Sequence, residues 1–243
     1  GTHELADLTV NQVPPGARLS LHGCGPTAIV AVHAPIALGG FAALELRDLQ
    51  LAMDPGTSLQ LTGNRELGLH SLRVRGKQDQ PQPWIVVDGS SELRMHQCEV
   101  AAAAPASVVL QNITGQCEVM HCVIAGDLAF YGMPPPDGTA SAPIATVLVN
   151  ALISGDFQVP AGRGQLVLGH NRLRRLNLGE EMLKQLIQRQ FNGLFQTVVL
   201  QGNTFSSAPS LCARVLLTVN GNHFTAGQTA ENLHGVLAGR RAA

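Results

Sequence analysis

A chain of 243 residues with formal net charge -1 has no basic stripe to neutralise phosphates, and 4% aromatic residues is too few for base-stacking platforms; nucleic acid is excluded as a partner. The most apolar stretch, Ala28 to Leu46, is broken by His33, Pro35 and the Gly39-Gly40 pair, so no segment reads as a membrane-spanning helix. Five cysteines with no Cys-x-x-Cys spacing argue for small core residues, expected to stay reduced, rather than a disulfide frame or a metal centre.

Residues 1–18, apolar between Leu5 and Val13, are expected to cap one end of the fold. The start Gly1-Thr2, without Met or a basic leader, fits an excised module or a chain whose signal has been removed, and leaves localisation open. From Leu19 onward the pattern apolar-x-apolar-x-x-apolar-x-apolar returns nine times, beginning at Leu19, Leu44, Leu67, Leu93, Cys117, Val147, Leu166, Val198 and Leu217. Period-two alternation marks a strand with one buried face, and the double polar step in its middle requires a corner between two short strands. Further strand candidates (Ser58 to Leu61, Trp84 to Val87, Val108 to Gln111, Phe157 to Val159) lie between copies, bounded by Gly, Pro and Asp turns. Each repeat thus holds three strands, and such units bury their apolar side only against neighbouring units.

The reading is an all-β single domain: a single-stranded parallel β-helix, or solenoid, of nine to ten coils stacked at about 4.8 Å over residues 19–224. Stacking aligns equivalent slots in columns. The third apolar slot reads Cys24, Leu49, Leu72, Cys98, Cys122, Leu152, Asn171, Asn203, Asn222, which predicts thiols inside the core and then a ladder of buried amides. One insertion interrupts the coils: over 179–196, Leu183, Leu186, Ile187, Phe191 and Leu194 recur at helical spacing, with Glu180 and Glu181 in the first turn. This amphipathic helix is expected to cover the outward second position of the repeat, which reads Glu45, Gly68, Arg94, Glu118 and then Leu148, Val167, Val199. The Pro-rich run Tyr131 to Gly138 is expected to project as a loop, and 225–243, with a short helix over Thr229 to Leu237, to cap the far end.

The segments Val198 to Phe205 and Leu217 to Phe224, with their Gly202-Asn203 and Gly221-Asn222 corners, resemble the right-handed parallel β-helix family, the fold of pectate lyases, polygalacturonases and many phage tailspikes. The resemblance covers about residues 19–224 and is specific for architecture, since this fold hosts enzymes, adhesins and inert scaffolds alike.

Candidate chemistry concentrates where His70 and His96 share a column, with His121 in the next coil; two stacked imidazoles are residues that bind metals or move protons. Arg94 is expected under Glu118 and Arg73 under Glu99, as surface ion pairs. Glycoside hydrolysis takes two carboxylates across one bond, and lyase chemistry in such folds takes clustered acids for calcium. This chain has no Asp-Asp pair and no Asp after Asp156, so the acidic motifs of those enzymes are missing. The expectation is a non-enzymatic module without cofactor: a rigid rod within a larger bacterial or phage-like assembly, with protein partners and the option of oligomerisation. The Ala and Arg richness, with Lys77 and Lys184 the only lysines, fits a high-GC bacterial source. The alternative is a carbohydrate-active enzyme or glycan-binding protein using an outer groove beside His70, Arg94, His96, Glu118 and His121.

Overall fold

A computed structural model describes residues 2–5, 7–25, 28–76, 80–101, 107–131, 145–161, 164–178, 195–207, 209–211 and 216–225. It is an all-β parallel solenoid. One sheet has nine strands, Arg18–His22, Ala43–Arg47, Glu66–His70, Glu92–His96, Cys117–Met120, Ala145–Val149, Gly164–Gly169, Phe195–Gln201 and Leu216–Asn220, each paired in parallel with the next. The remaining seventeen strands form a second sheet that bends to supply the other two faces. Two of its members, Leu152–Ala161 and Arg172–Leu178, each run across both of those faces.

Alternation within each strand sends one set of side chains inward, where Leu44, Leu67, Leu93, Cys117, Leu166 and Val198 stack as one buried column and Leu46, Leu69, Met95, Val119, Leu148, Leu168 and Leu200 as the next. Complete turns are fewer than the nine to ten coils expected. The first rung has only Thr2–Leu5 and Leu8–Val10, and the last only Leu216–Asn220 and His223–Phe224, so neither closes a turn among the described residues. Within the segment 1–18, assigned above to a cap, Thr2–Leu5 and Leu8–Val10 supply that first rung by pairing with Ile29–Val32 and Ile36–Gly39. Of the helix expected over 179–196, residues 195 and 196 open the strand Phe195–Gln201 and the rest lie outside the described residues, as do 132–144 and 226–243.

The corner after each strand of the nine-stranded sheet except the first, Arg18–His22, is a single left-handed residue. Asp48, Ser71, Gln97, His121, Asn150 and His170 have φ between 51° and 56°, and Gly202 and Gly221 continue the column at 63° and 61°. Asp, Asn and His tolerate this region best among residues with a Cβ, which is why the polar step falls here. At Gly202 a Cβ would lie 2.6 Å from His170 Nδ1, so a side chain there would require the His170 imidazole to move.

This corner fixes the register of the sixth copy. Cys117 pairs with Thr146, not with Val147, so the copy starts one residue earlier than the sequence pattern placed it. Leu148 therefore points inward, Val147 takes the outward position, and Ala151 replaces Leu152 in the third apolar slot; Leu152 is exposed. The slip arises because the inward slot holds a polar residue, Thr146, whose buried Oγ1 has no partner.

Candidate functional site

The third-slot column carries a continuous amide ladder. Asn171 Nδ2 donates to Asn203 Oδ1 at 3.0 Å, and Asn203 Nδ2 donates to Asn222 Oδ1 at 2.9 Å. Each amide also donates to a main-chain carbonyl of the preceding coil: Asn171 to Leu148, Asn203 to Leu168 and Asn222 to Leu200, at 2.7 to 2.8 Å. The thiols of Cys98 and Cys122, in the same slot, reach the equivalent carbonyls of Leu69 and Met95, both at 3.3 Å. Amide and thiol thus perform one task at one position: they satisfy a carbonyl that the corner leaves unpaired. The contact with Cys122 and burial hold Cys98 far above its usual thiol range, and burial pushes Cys117 up to about 12, so neither is a nucleophile. Cys24 does not share this environment. It is exposed, because the strand Arg18–His22 ends the nine-stranded sheet and leaves its slot without a coil on one side.

On the outer face of the nine-stranded sheet, His70, Arg94, His96 and Glu118 come together. Register places Glu45, Gly68, Arg94 and Glu118 in one column, and Arg47, His70 and His96 in the next. The imidazoles of His70 and His96 meet edge to face, with centroids 5.4 Å apart. His70 Nε2 lies 3.9 Å from Glu45 Oε1 on one side, and His96 Nε2 lies 3.5 Å from Glu118 Oε2 on the other. The two Nε2 atoms therefore turn towards opposite ends of the row, an arrangement unsuited to sharing one ion. Among the described residues no group of three or more His, Cys, Asp or Glu is placed to hold a metal. His121 is not part of this cluster, since it occupies the corner column. Arg94 stands in register with Glu118 but reaches Glu92 Oε2 at 3.4 Å instead; Arg73 and Glu99 do pair, at 3.8 Å.

Glu45 is the best-positioned acid here. It accepts hydrogen bonds from Arg47 and from Ser20 Oγ at 3.3 Å, and the Arg47 bond holds its carboxyl below the usual range. Burial, with Arg47 and His96 adding to it, holds His70 below the usual imidazole range, so it is neutral near pH 7. Arg18, Glu45, Glu66, Gly68, His70 and Arg94 line an open groove of about 440 Å³.

A second polar cluster was not apparent from the sequence. Asp156, whose side chain is 4% exposed, accepts from Arg174 Nε at 2.7 Å, Arg175 Nη2 at 2.8 Å and Asn177 Nδ2 at 3.2 Å. Asp127 accepts from the Asp156 main-chain N–H at 2.8 Å and from Gln158 Nε2 at 2.6 Å. Burial alone would push the Asp156 carboxyl up, but the two arginines more than reverse this and leave it below the usual range. The register shift between Ile153 and Asp156 brings Arg174 and Arg175 onto one carboxylate. The available signal was the repeated Gly-Asp, Gly126-Asp127 and Gly155-Asp156, one coil apart and followed by the Arg pair.

Comparison with known proteins finds no family model, no curated protein and no solved structure that matches the chain.

Proposed function

We propose that the chain is a non-enzymatic structural or interaction module, a right-handed rod of the pectin lyase-like type that spaces or displays parts of a larger assembly. The observation that carries this reading is the continuity of the inner columns. Buried side chains stack in adjacent columns from Leu44 to Val198 and from Leu46 to Leu200, and the amide ladder of the neighbouring third-slot column reaches Asn222, so the coils form one packed body. Such a body transmits force and holds outward residues at a fixed pitch of about 4.8 Å per coil. A turnover assay across polysaccharides and aryl glycosides tests it. The rod reading expects no product above the buffer rate, and release of reducing ends or unsaturated products would overturn it.

The groove beside Glu45 favours a second reading, binding of a glycan on the outer face. Four consecutive strands contribute polar side chains to one open cleft, as a chain-like ligand requires. A glycan array tests this reading independently of turnover.

A further inference from the structure

Four large apolar side chains are exposed among the described residues: Val123, Tyr131, Leu152 and Val219. Val219 is the register partner of buried Leu200, an inward residue that the last rung leaves uncovered, and Tyr131 stands alone at the end of Leu128–Tyr131. Val123 and Leu152 differ. They are register partners on consecutive coils, both turned outward and 44% and 42% exposed, while the residues that follow them, Ile124 and Ile153, fill the core.

The outward column to which this pair belongs reads Arg73, Glu99, Val123, Leu152, Arg172, Thr204. An acid therefore stands one coil before the apolar pair, and a base one coil after it. Arg73 reaches Glu99 at 3.8 Å with both side chains exposed, a pairing that holds Glu99 only weakly. Arg172 lies between Leu152 and Thr204, and among the described residues no ion pair holds it.

A second copy of the chain can be laid against this face in two directions, and the charges distinguish them. Parallel rods would set Glu99 against Glu99 and Arg172 against Arg172, like charges on both sides of the apolar pair. Antiparallel rods, related by a two-fold axis that runs along the strands midway between Val123 and Leu152, set Val123 of each copy against Leu152 of the other. The same axis sets Glu99 of each copy against Arg172 of the other. One column is thus complementary to itself in a single orientation, which is what singles out a second copy as the occupant.

We infer that the chain forms an antiparallel two-fold dimer through this face, with Val123 and Leu152 at its centre and two reciprocal Glu99–Arg172 pairs flanking them. The dimer goes beyond the rod and glycan readings and depends on neither. From Arg73 to Thr204 the column spans about 24 Å by coil spacing, so the contact is at the small end of specific interfaces and the dimer is weak, with a dissociation constant of roughly 10–100 µM.

Sedimentation velocity of the whole chain from about 1 µM to about 1 mM tests this, with circular dichroism to check that each variant is folded. The native chain is expected to pass from monomer to dimer, and to dissociate more readily in ~0.5 M salt, where the reciprocal pairs are screened. Glu99→Arg and Arg172→Glu are each expected to weaken the dimer about tenfold or more, and the double variant Glu99→Arg/Arg172→Glu to restore it to within about threefold of native. Leu152→Ser shortens an exposed side chain and leaves Ile153 in place; it is expected to weaken the dimer about fivefold, and it supplies a readout should a reversed charge unfold its coil. A monomer throughout the range, or a trimer, overturns the inference. A dimer that Leu152→Ser leaves unchanged lies on another face and overturns it too. A dimer that salt tightens, or a double variant no tighter than the single ones, refutes the antiparallel arrangement, because parallel rods oppose like charges in both the native chain and the double variant.

Discussion

Replacing Asn203 by Ala tests the ladder where it is most buried, since Asn203 is 0% exposed. The substitution removes four hydrogen bonds of the side chain: two accepted from Asn171, and one each donated to Leu168 O and Asn222 Oδ1. Asn222 Oδ1 keeps the Asn203 main-chain N–H at 2.8 Å, but the Asn171 main-chain N–H, one Asn171 amide hydrogen and Leu168 O lose a partner inside the core. A buried polar group left unpaired costs about 1–3 kcal/mol, so three of them, allowing for relaxation, should cost roughly 3–5 kcal/mol. Asn222→Ala, at the half-buried end where water can substitute, should cost only about 1–2 kcal/mol. Asn203→Cys should recover about 1 kcal/mol relative to Asn203→Ala, because a thiol in this slot still serves the carbonyl beneath it, as Cys98 and Cys122 do. Equilibrium urea unfolding followed by circular dichroism measures all three as shifts in midpoint. A loss below about 1 kcal/mol in Asn203→Ala, or an equal loss in Asn222→Ala, would show that the amides are not satisfying buried partners.

Asp156→Asn should lower stability at pH 7 by about 1–2 kcal/mol, less than for a fully buried pair because both arginines are about half exposed. The native Asp156 carboxyl titrates below its unfolded value, so its contribution is complete above that value and is lost as pH falls through the folded one. Acid unfolding below pH ~4 should therefore be shallower in Asp156→Asn than in the native chain, and parallel curves would refute the assignment. Thr146→Val removes a buried hydroxyl without a partner at nearly constant shape and should raise stability by about 1 kcal/mol, read from the thermal midpoint. Ser90 occupies the coil position after Asn64, whose amide accepts from Phe41 N at 3.1 Å and donates to Leu38 O at 3.0 Å, while the buried Ser90 Oγ has no partner. Ser90→Asn should start a second ladder and raise the melting temperature, and a lowered one would refute that.

What could be read from the residues was the inner surface. The double polar step announced the corner because a left-handed residue turns two alternating strands towards one interior, as Asp48, Ser71 and His170 do. The same rule failed at Thr146, where a polar inward residue disguised the start of the copy and shifted Leu148 and Leu152 to the wrong faces. Burial of Cys24 was misjudged for a different reason: its slot is shared with other thiols, but its place at the sheet's end is a property of the stack. On the outer face, register correctly aligned Arg94 with Glu118, yet side-chain reach gave each a different partner, Glu92 and His96. The Asp127–Asp156 cluster depends on a register shift within Leu152–Ala161, and no one-coil pattern encodes a shift that happens between two strands.

The one-residue corner also makes each coil an interchangeable cassette. Because Ser71 and Gln97 are the same hinge in consecutive turns, excising residues 73–98 would splice Leu72 directly to Glu99 with both flanking faces still in phase. The chain can thus lengthen or shorten by whole coils, in increments of about 4.8 Å, as a genetic ruler does.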